Sequence, residues 1–164
     1  MPKITENSFT FDSKDEQYFY WYCQELIKFG LIEEWFFHPD SYELFNQKNM
    51  YGLKKHVYTP DFKILWRQSA RKLFLKSSDV KNFFTTRRKE SDFSIIEIKP
   101  SFDIWHSIRE FSINQKWVYA VYNIYVQKVV VKKCFEKTFT PKRYLVGKRK
   151  INWKIKTIEE FINS

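Results

Sequence analysis

The sequence predicts an α/β protein, helices packed around a mixed sheet, and three observations carry that expectation. Residues 13–30 have helical spacing, two later segments have strand patterns, and a second helical segment precedes another β-branched run. The order helix, strands, helix, strand suits a mixed sheet covered by helices.

The first element begins at Ser13. In SKDEQYFYWYCQELIKFG, Phe19, Tyr22, Cys23, Leu26 and Ile27 fall on one face of an amphipathic helix that Gly30 closes. The run LIEEWFF then admits a strand leading out of the helix, with Pro39-Asp40-Ser41 as its turn and turn character continuing to Asn46. After Pro60-Asp61, Phe62, Ile64 and Trp66 alternate with Lys63, Leu65 and Arg67, so a strand starts at that pair. From Arg67 to Glu90 the chain is basic and is expected to form a hairpin or loop excursion, a basic insertion at about 67–92 in a single domain spanning 1–164. SIIEIKP, Ser94 to Pro100, predicts a short buried strand stopped by a proline, which cannot donate to a ladder. A turn at Ser101 to Asp103 precedes a helix from about Ile108 to Val126, on which Phe111, Gln115, Val118, Tyr119, Tyr122 and Val126 share helical spacing. QKVVVKKCF, Gln127 to Phe135, is strand-like, and TIEEFINS predicts a short terminal helix.

Composition narrows the classes of function. With 164 residues, 43% hydrophobic and 20% aromatic, the chain is too rich for disorder and large enough for a core without disulfides. Lys and Arg total 29 against 19 Asp and Glu, a net charge of +10, which favours a polyanionic partner, nucleic acid above all. The absence of an apolar run of about 18 residues and of a basic-then-apolar leader argues against a membrane partner. The expectation is a soluble, cytoplasmic protein. Cys23 and Cys134 lack zinc-ligand spacing and read as core thiols.

Strand periodicity decides which residues act together. In SIIEIKP, Glu97 and Lys99 share one face while Ile96 and Ile98 share the other. Magnesium takes hard oxygen ligands, usually one or two protein carboxylates completed by water and substrate phosphate. Asp61 and Glu97 supply two such carboxylates, the carbonyl of Ile98 a further oxygen, and Lys99 an ammonium to orient a nucleophile or offset charge. The chemistry this points to is phosphodiester hydrolysis. A second Pro-Asp pair, Pro39-Asp40, reads as a turn, because a strand fixes a metal ligand better than a loop does.

Pro60-Asp61 followed by Glu97-Ile98-Lys99, in the contexts YTPDF and IIEIKP, resembles the signature of the PD-(D/E)XK nuclease superfamily. Within it, these residues resemble phage junction-resolving endonucleases of the endonuclease I type and the endonuclease subunit of TnsA-type transposons, over roughly residues 13–133. The resemblance implies a restriction-endonuclease-like α/β/α core, a central mixed sheet flanked by helices. It also implies a Mg2+-dependent DNA endonuclease, with Mn2+ as substitute, acting on branched, structured or duplex DNA in phage or mobile-element DNA processing. Asp61 and Glu97 would then bind the metal and Lys99 would serve the attacking water. Ser13-Lys14-Asp15-Glu16 matches the Ser-x-x-Glu that precedes the signature, so Glu16 would complete or position the metal site; equally, Ser13 and Glu16 form a capping box. Asp15 and Glu6 are weaker substitutes. Gln115-Lys116-Trp117-Val118-Tyr119 is similar to the Q-x-x-x-Y motif of RecB-like members, which brings Gln115 and Tyr119 toward the site or the DNA strand; the apolar helix face offers the core as the alternative for both, and for Tyr119 the core is the favoured reading. The long interval from Asp61 to Glu97 requires an insertion, and its basic residues, among them Arg71, Lys72, Arg87, Arg88 and Lys89, predict a DNA-binding element.

His38, His56 and His106 show no ligand spacing and read as surface or loop residues, His56 alone standing near the Pro-Asp strand. The runs Lys142-Arg143 and Lys148-Arg149-Lys150 are expected to contact phosphates. A homodimer would suit cleavage of two strands. The alternative to an enzyme is a non-catalytic nucleic-acid-binding or assembly protein that retains the nuclease fold. Both readings predict salt-sensitive binding, and only the first predicts metal-dependent cleavage.

Overall fold

The computed structural model describes residues 2–76, 81–86, 92–102 and 106–164. A short antiparallel hairpin, β1 (Ile4–Glu6) with β2 (Phe9–Phe11), opens the chain. Its two linking residues, Asn7 and Ser8, both have positive φ, the geometry that matches a tight turn to the twist of its strands. The sequence pattern did not reveal this hairpin, because each strand has only three residues. Phe11 at its end is fully buried against Tyr20.

Helix α1 (Lys14–Lys28) starts and stops where its sequence says it should. Ser13 caps it, with Oγ accepting from the Glu16 N–H at 3.2 Å. At the other end Gly30 adopts φ +68°, Gly30 N–H donates to Ile27 and Leu31 N–H to Leu26, so the last carbonyls are satisfied. This turn feeds the chain into β3 (Ile32–Phe37). The next stretch departs from expectation. Tyr42 to Asn46, read as turn, begins with a strand, β4 (Tyr42–Phe45), paired antiparallel with β5 (His56–Tyr58). Pairing with a partner more than ten residues away supplied what local propensity did not.

Four strands form the central sheet among the described residues, in the order β3, β6 (Phe62–Trp66), β7 (Phe93–Ile98), β8 (Val126–Val129). The first three run antiparallel to their neighbours and β8 lies parallel to β7, so the sheet is mixed. Between β6 and β7 the basic segment is not a free excursion. It makes a 3₁₀ turn and a short helix, α2 (Arg71–Phe74), and then a bridge between Leu75 and Phe84. Phe74 and Phe84 are fully buried, and both rings pack on Trp66. Apolar residues spaced among the lysines and arginines therefore pin the insertion to the core.

Helix α3 (Ser107–Tyr122) ends earlier than its apolar spacing suggested, at Asn123 in the left-handed conformation, which frees Val126 to begin β8. The expected strand Gln127 to Phe135 is split. Only its first part pairs with β7; α4 (Val131–Lys137) follows, because Val131, Cys134 and Phe135 at three- and four-residue spacing bury one helical face. Two short helices, α5 (Lys142–Val146) and α6 (Ile158–Ile162), complete the chain, the last with a reciprocal capping box between Thr157 and Glu160.

Helices flank the sheet on both sides. On the α1 side, Phe19, Tyr22 and Leu26 pack with Phe62, Ile64, Ile96 and Phe135 into the main core. Burying a side chain of this size contributes about 1.5–3 kcal/mol, so this face is the main source of stability. On the α3 side a smaller cluster joins Ile95 and Val126 to Phe111 and Val118, with Leu44 and Tyr58 of the β4–β5 hairpin above them. Strand β7 is thus covered on both faces. Cys23 and Cys134 are buried free thiols. Among the described residues no helix is long and apolar enough to cross a membrane.

Candidate active site

Register brings Asp61 and Glu97 together. The β6–β7 ladder ends at the pair Phe62 and Ile96, the residues just after Asp61 and just before Glu97, and the two carboxylates lie close enough to interact. The ladder ends there because Pro60 has no N–H to give. Asp61 N–H donates to Ile96 at 3.0 Å, and the Asp61 carboxylate then accepts from the Ile98 N–H at 2.7 Å, taking the place of the next main-chain rung. The other side of β7 is held by β8, with Lys99 N–H donating to Val129 at 3.0 Å. Sequence alternation put Glu97 on the face opposite Ile96 and Ile98, and the two isoleucines are indeed in the main core.

Glu97 is held at both oxygens. Lys99 Nζ lies 3.2 Å from Oε1, and the Tyr58 hydroxyl donates to Oε2 at 2.6 Å. Burial and the adjacent Glu97 charge keep the Tyr58 phenol protonated, raising it far above its ordinary value. Burial, then the negative charges of Glu97 and Glu16, push the Asp61 carboxyl well above the usual carboxylate range, and the Ile98 N–H and Lys99 offset this only in part. Glu16 is also raised, first by burial and in part by Asp12 and Glu97. Its carboxylate accepts from the N–H of Asp12 at 3.0 Å, one residue ahead of the Ser13 cap. Glu16 therefore serves the helix start and belongs electrically to the acid group as well.

These donors fit a hard divalent cation. Asp61 and Glu16 are each raised in part by the charge of neighbouring carboxylates, and a dication would relieve the charge that burial leaves uncompensated. Asp12, Glu16 and His38 also bring one potential ligand atom each within 4.8 Å of one another, though surface groupings of this kind are common without an ion. His38, with no ligand spacing in the sequence, reaches this position because its N–H donates to the Asp61 carbonyl at 2.8 Å.

A pocket of about 260 Å³ opens beside Glu97 and Lys99, walled by His56, Tyr58, Glu110 and Asn114 among others. Asp61 is not in its wall. Sequence reasoning singles out His56 only for its nearness to the Pro-Asp strand and misses Tyr58, although two residues apart on a strand place them on one face. His56 Nε2 is 2.7 Å from Asn114 Oδ1, and its ring stacks on Trp117. Asn114, rather than its neighbour Gln115, reaches this pocket. Gln115 donates instead to the carbonyl of Val126 at 2.7 Å, steadying β8, and lines a separate cavity. Tyr119, read as core, is exposed.

The basic residues divide. Arg71 is tied to Asp92, its Nε 2.6 Å from Oδ2, while Lys72 is exposed. Arg87, Arg88 and Lys89 lie outside the described residues. In the C-terminal run, Lys142 pairs with Glu159, Arg143 with Glu6, and Arg149 lies over Tyr18 and Tyr144, so these cations are engaged within the chain. Compared with known proteins, the chain matches no family model, no curated protein and no solved structure.

Proposed function

We propose that this protein is a Mg2+-dependent endonuclease of the PD-(D/E)XK type that hydrolyses phosphodiester bonds in DNA, with branched or otherwise structured DNA as its substrate. One observation carries the reading: Asp61, just beyond the Phe62–Ile96 pair of the central strands, lies close enough to Glu97 for the two carboxylates to interact, with Lys99 at 3.2 Å from Glu97 and Glu16 within electrostatic reach. A mixed sheet between α1 and α3, with the acids at one end of its inner strands, also suits a restriction-endonuclease-like core.

Magnesium, or manganese in its place, would supply a Lewis acid and an acidified water. Asp61, Glu97 and the Ile98 carbonyl would hold it, with Glu16 as a further carboxylate. The chain's own residues do the rest. Tyr58 fixes the orientation of Glu97 through its hydroxyl, and the Ile98 N–H fixes that of Asp61. Lys99 sets a positive charge where the attacked phosphate gathers negative charge.

Incubation with plasmid, linear and four-way-junction DNA, with and without Mg2+, tests this for the parent and for Asp61→Ala, Glu97→Ala and Lys99→Ala. Metal-dependent strand cleavage by the parent, lost in all three variants, is expected. Binding without cleavage by the parent under every condition would instead assign a non-catalytic nucleic-acid-binding protein.

A further inference from the structure

Strand β8 is the edge of the sheet, and three cavities follow one another along it. The pocket beside Glu97 shares Phe111 with a second cavity of about 330 Å³. That cavity shares Tyr125 and Lys128 with a third, the largest, of about 650 Å³. The register of β7 with β8 pairs Lys128 with Glu97, so a residue of the last cavity and one of the first lie on neighbouring strands.

The two ends of this series differ in charge. Glu97 and Glu110 line the first pocket with a single lysine, Lys99, which is paired with Glu97. Lys76, Lys81, Lys128 and Lys137 line the largest cavity, and among the described residues its wall has no carboxylate. The lysines come from the middle of the basic insertion, from β8 and from α4. Gln127 on β8 binds the insertion to the sheet, accepting from the Thr85 N–H at 2.8 Å and donating to the Phe83 carbonyl at 3.0 Å, so the cavity is a built feature. Tyr125, half exposed at the junction, presents an aromatic face between the two ends.

We infer that one strand of the nucleic acid runs along the β8 edge, from the acid pocket through Tyr125 to the four-lysine cavity, where its phosphates are held. The inference rests on the nuclease reading for the strand's starting point. Charge complementarity selects the occupant: repeated anions at one end, with a flat ring where a base can stack, describe a polynucleotide rather than a single phosphate. The same arrangement gives the basic insertion its use, since its lysines enter the cavity while its phenylalanines anchor it.

Binding of a fluorescent single-stranded oligonucleotide, measured by anisotropy across a salt series in EDTA, tests the track without requiring catalysis. For Lys76→Ala with Lys137→Ala, the slope of log affinity against log salt is expected to shrink by about 1.4, two phosphate contacts on a single strand. Tyr125→Ala is expected to weaken binding by about tenfold. Lys48→Ala with Lys54→Ala, which removes the same charge from the exposed β4–β5 connection, is expected to leave the slope as in the parent. Equal loss in both double variants, or no loss in the first, would overturn the track. Competition by inorganic polyphosphate that leaves Tyr125→Ala equal to the parent would reduce it to a simple anion site and overturn it too. Because cleavage plays no part in these measurements, a failed track leaves Asp61-dependent cleavage to stand, and a failed nuclease assay leaves the lysine result to stand.

Discussion

The chain contains the same local motif twice, a hydroxyl residue followed three positions later by glutamate at a helix start, and folding puts the two copies to different use. At α6, Thr157 and Glu160 make the reciprocal pair, Glu160 N–H to Thr157 Oγ1 at 3.2 Å and Thr157 N–H to Glu160 Oε2 at 2.8 Å. At α1, Ser13 accepts from Glu16 in the same way, but the Glu16 carboxylate passes over the Ser13 N–H and takes that of Asp12. Glu160 is exposed, whereas Glu16 is buried beside other acids. A cap costs a carboxylate nothing at the surface. Inside, near Asp61 and Glu97, the same group raises the energy of its ionised form, a condition that a protein tolerates where a metal or substrate will relieve it.

Metal should expose the largest difference between the two glutamates. At about 100 times its Kd, Mg2+ is expected to stabilise the parent by about 2.7 kcal/mol, a rise of roughly 5–11 °C in Tm. Calorimetry should find that rise reduced in Glu16→Gln and intact in Glu160→Gln; an equal rise in both would remove Glu16 from the metal site. Cleavage should follow the same division. Glu16→Gln, which keeps an oxygen for the Asp12 N–H, is expected to lower Mg2+-dependent cleavage by about 10–100-fold, while Glu160→Gln stays near the parent rate.

The caps themselves should be alike. Ser13→Ala and Thr157→Ala are each expected to cost about 1 kcal/mol in urea denaturation, and a much larger loss at Ser13 would mean that the cap also holds the acid group in place. The finest distinction is the sign of a pH effect in metal-free protein. Burial raises Glu16 above its ordinary 4.5, so its contribution to stability is present below that value and is lost as pH rises through the native one. Lys142 lowers Glu159, on α6, so its contribution is present above 4.5 and is lost as pH falls. Between pH 4 and 7, Glu16→Gln should therefore gain on the parent and Glu159→Gln should fall behind it. Tm shifts of one sign for both would contradict this picture.

Much of the architecture was legible because it rests on local periodicity and caps. The start of α1 at Ser13, its end at Gly30, the alternation of Phe62, Ile64 and Trp66, and the helix at Ile158 all depend on residues within a few positions of one another. What misled local reading was long-range pairing. Tyr42 to Phe45 became a strand only by meeting His56 to Tyr58, and Val131 to Lys137 became a helix because burial outweighed β-branched propensity.

The site divides along the same line. Sequence alone determined which residue types are present, that a strand follows Pro60-Asp61, and that Glu97 and Lys99 share a face. Their spacing along one strand has a period of two, and no distant contact is needed to know it. Tertiary structure decided the rest: that Asp61 comes beside Glu97, that Tyr58 and His56 reach the pocket while Gln115 turns to β8, and that Glu16 faces acids whereas Glu160 faces water. Register, packing and burial act between residues tens of positions apart, and a motif four residues long does not contain them.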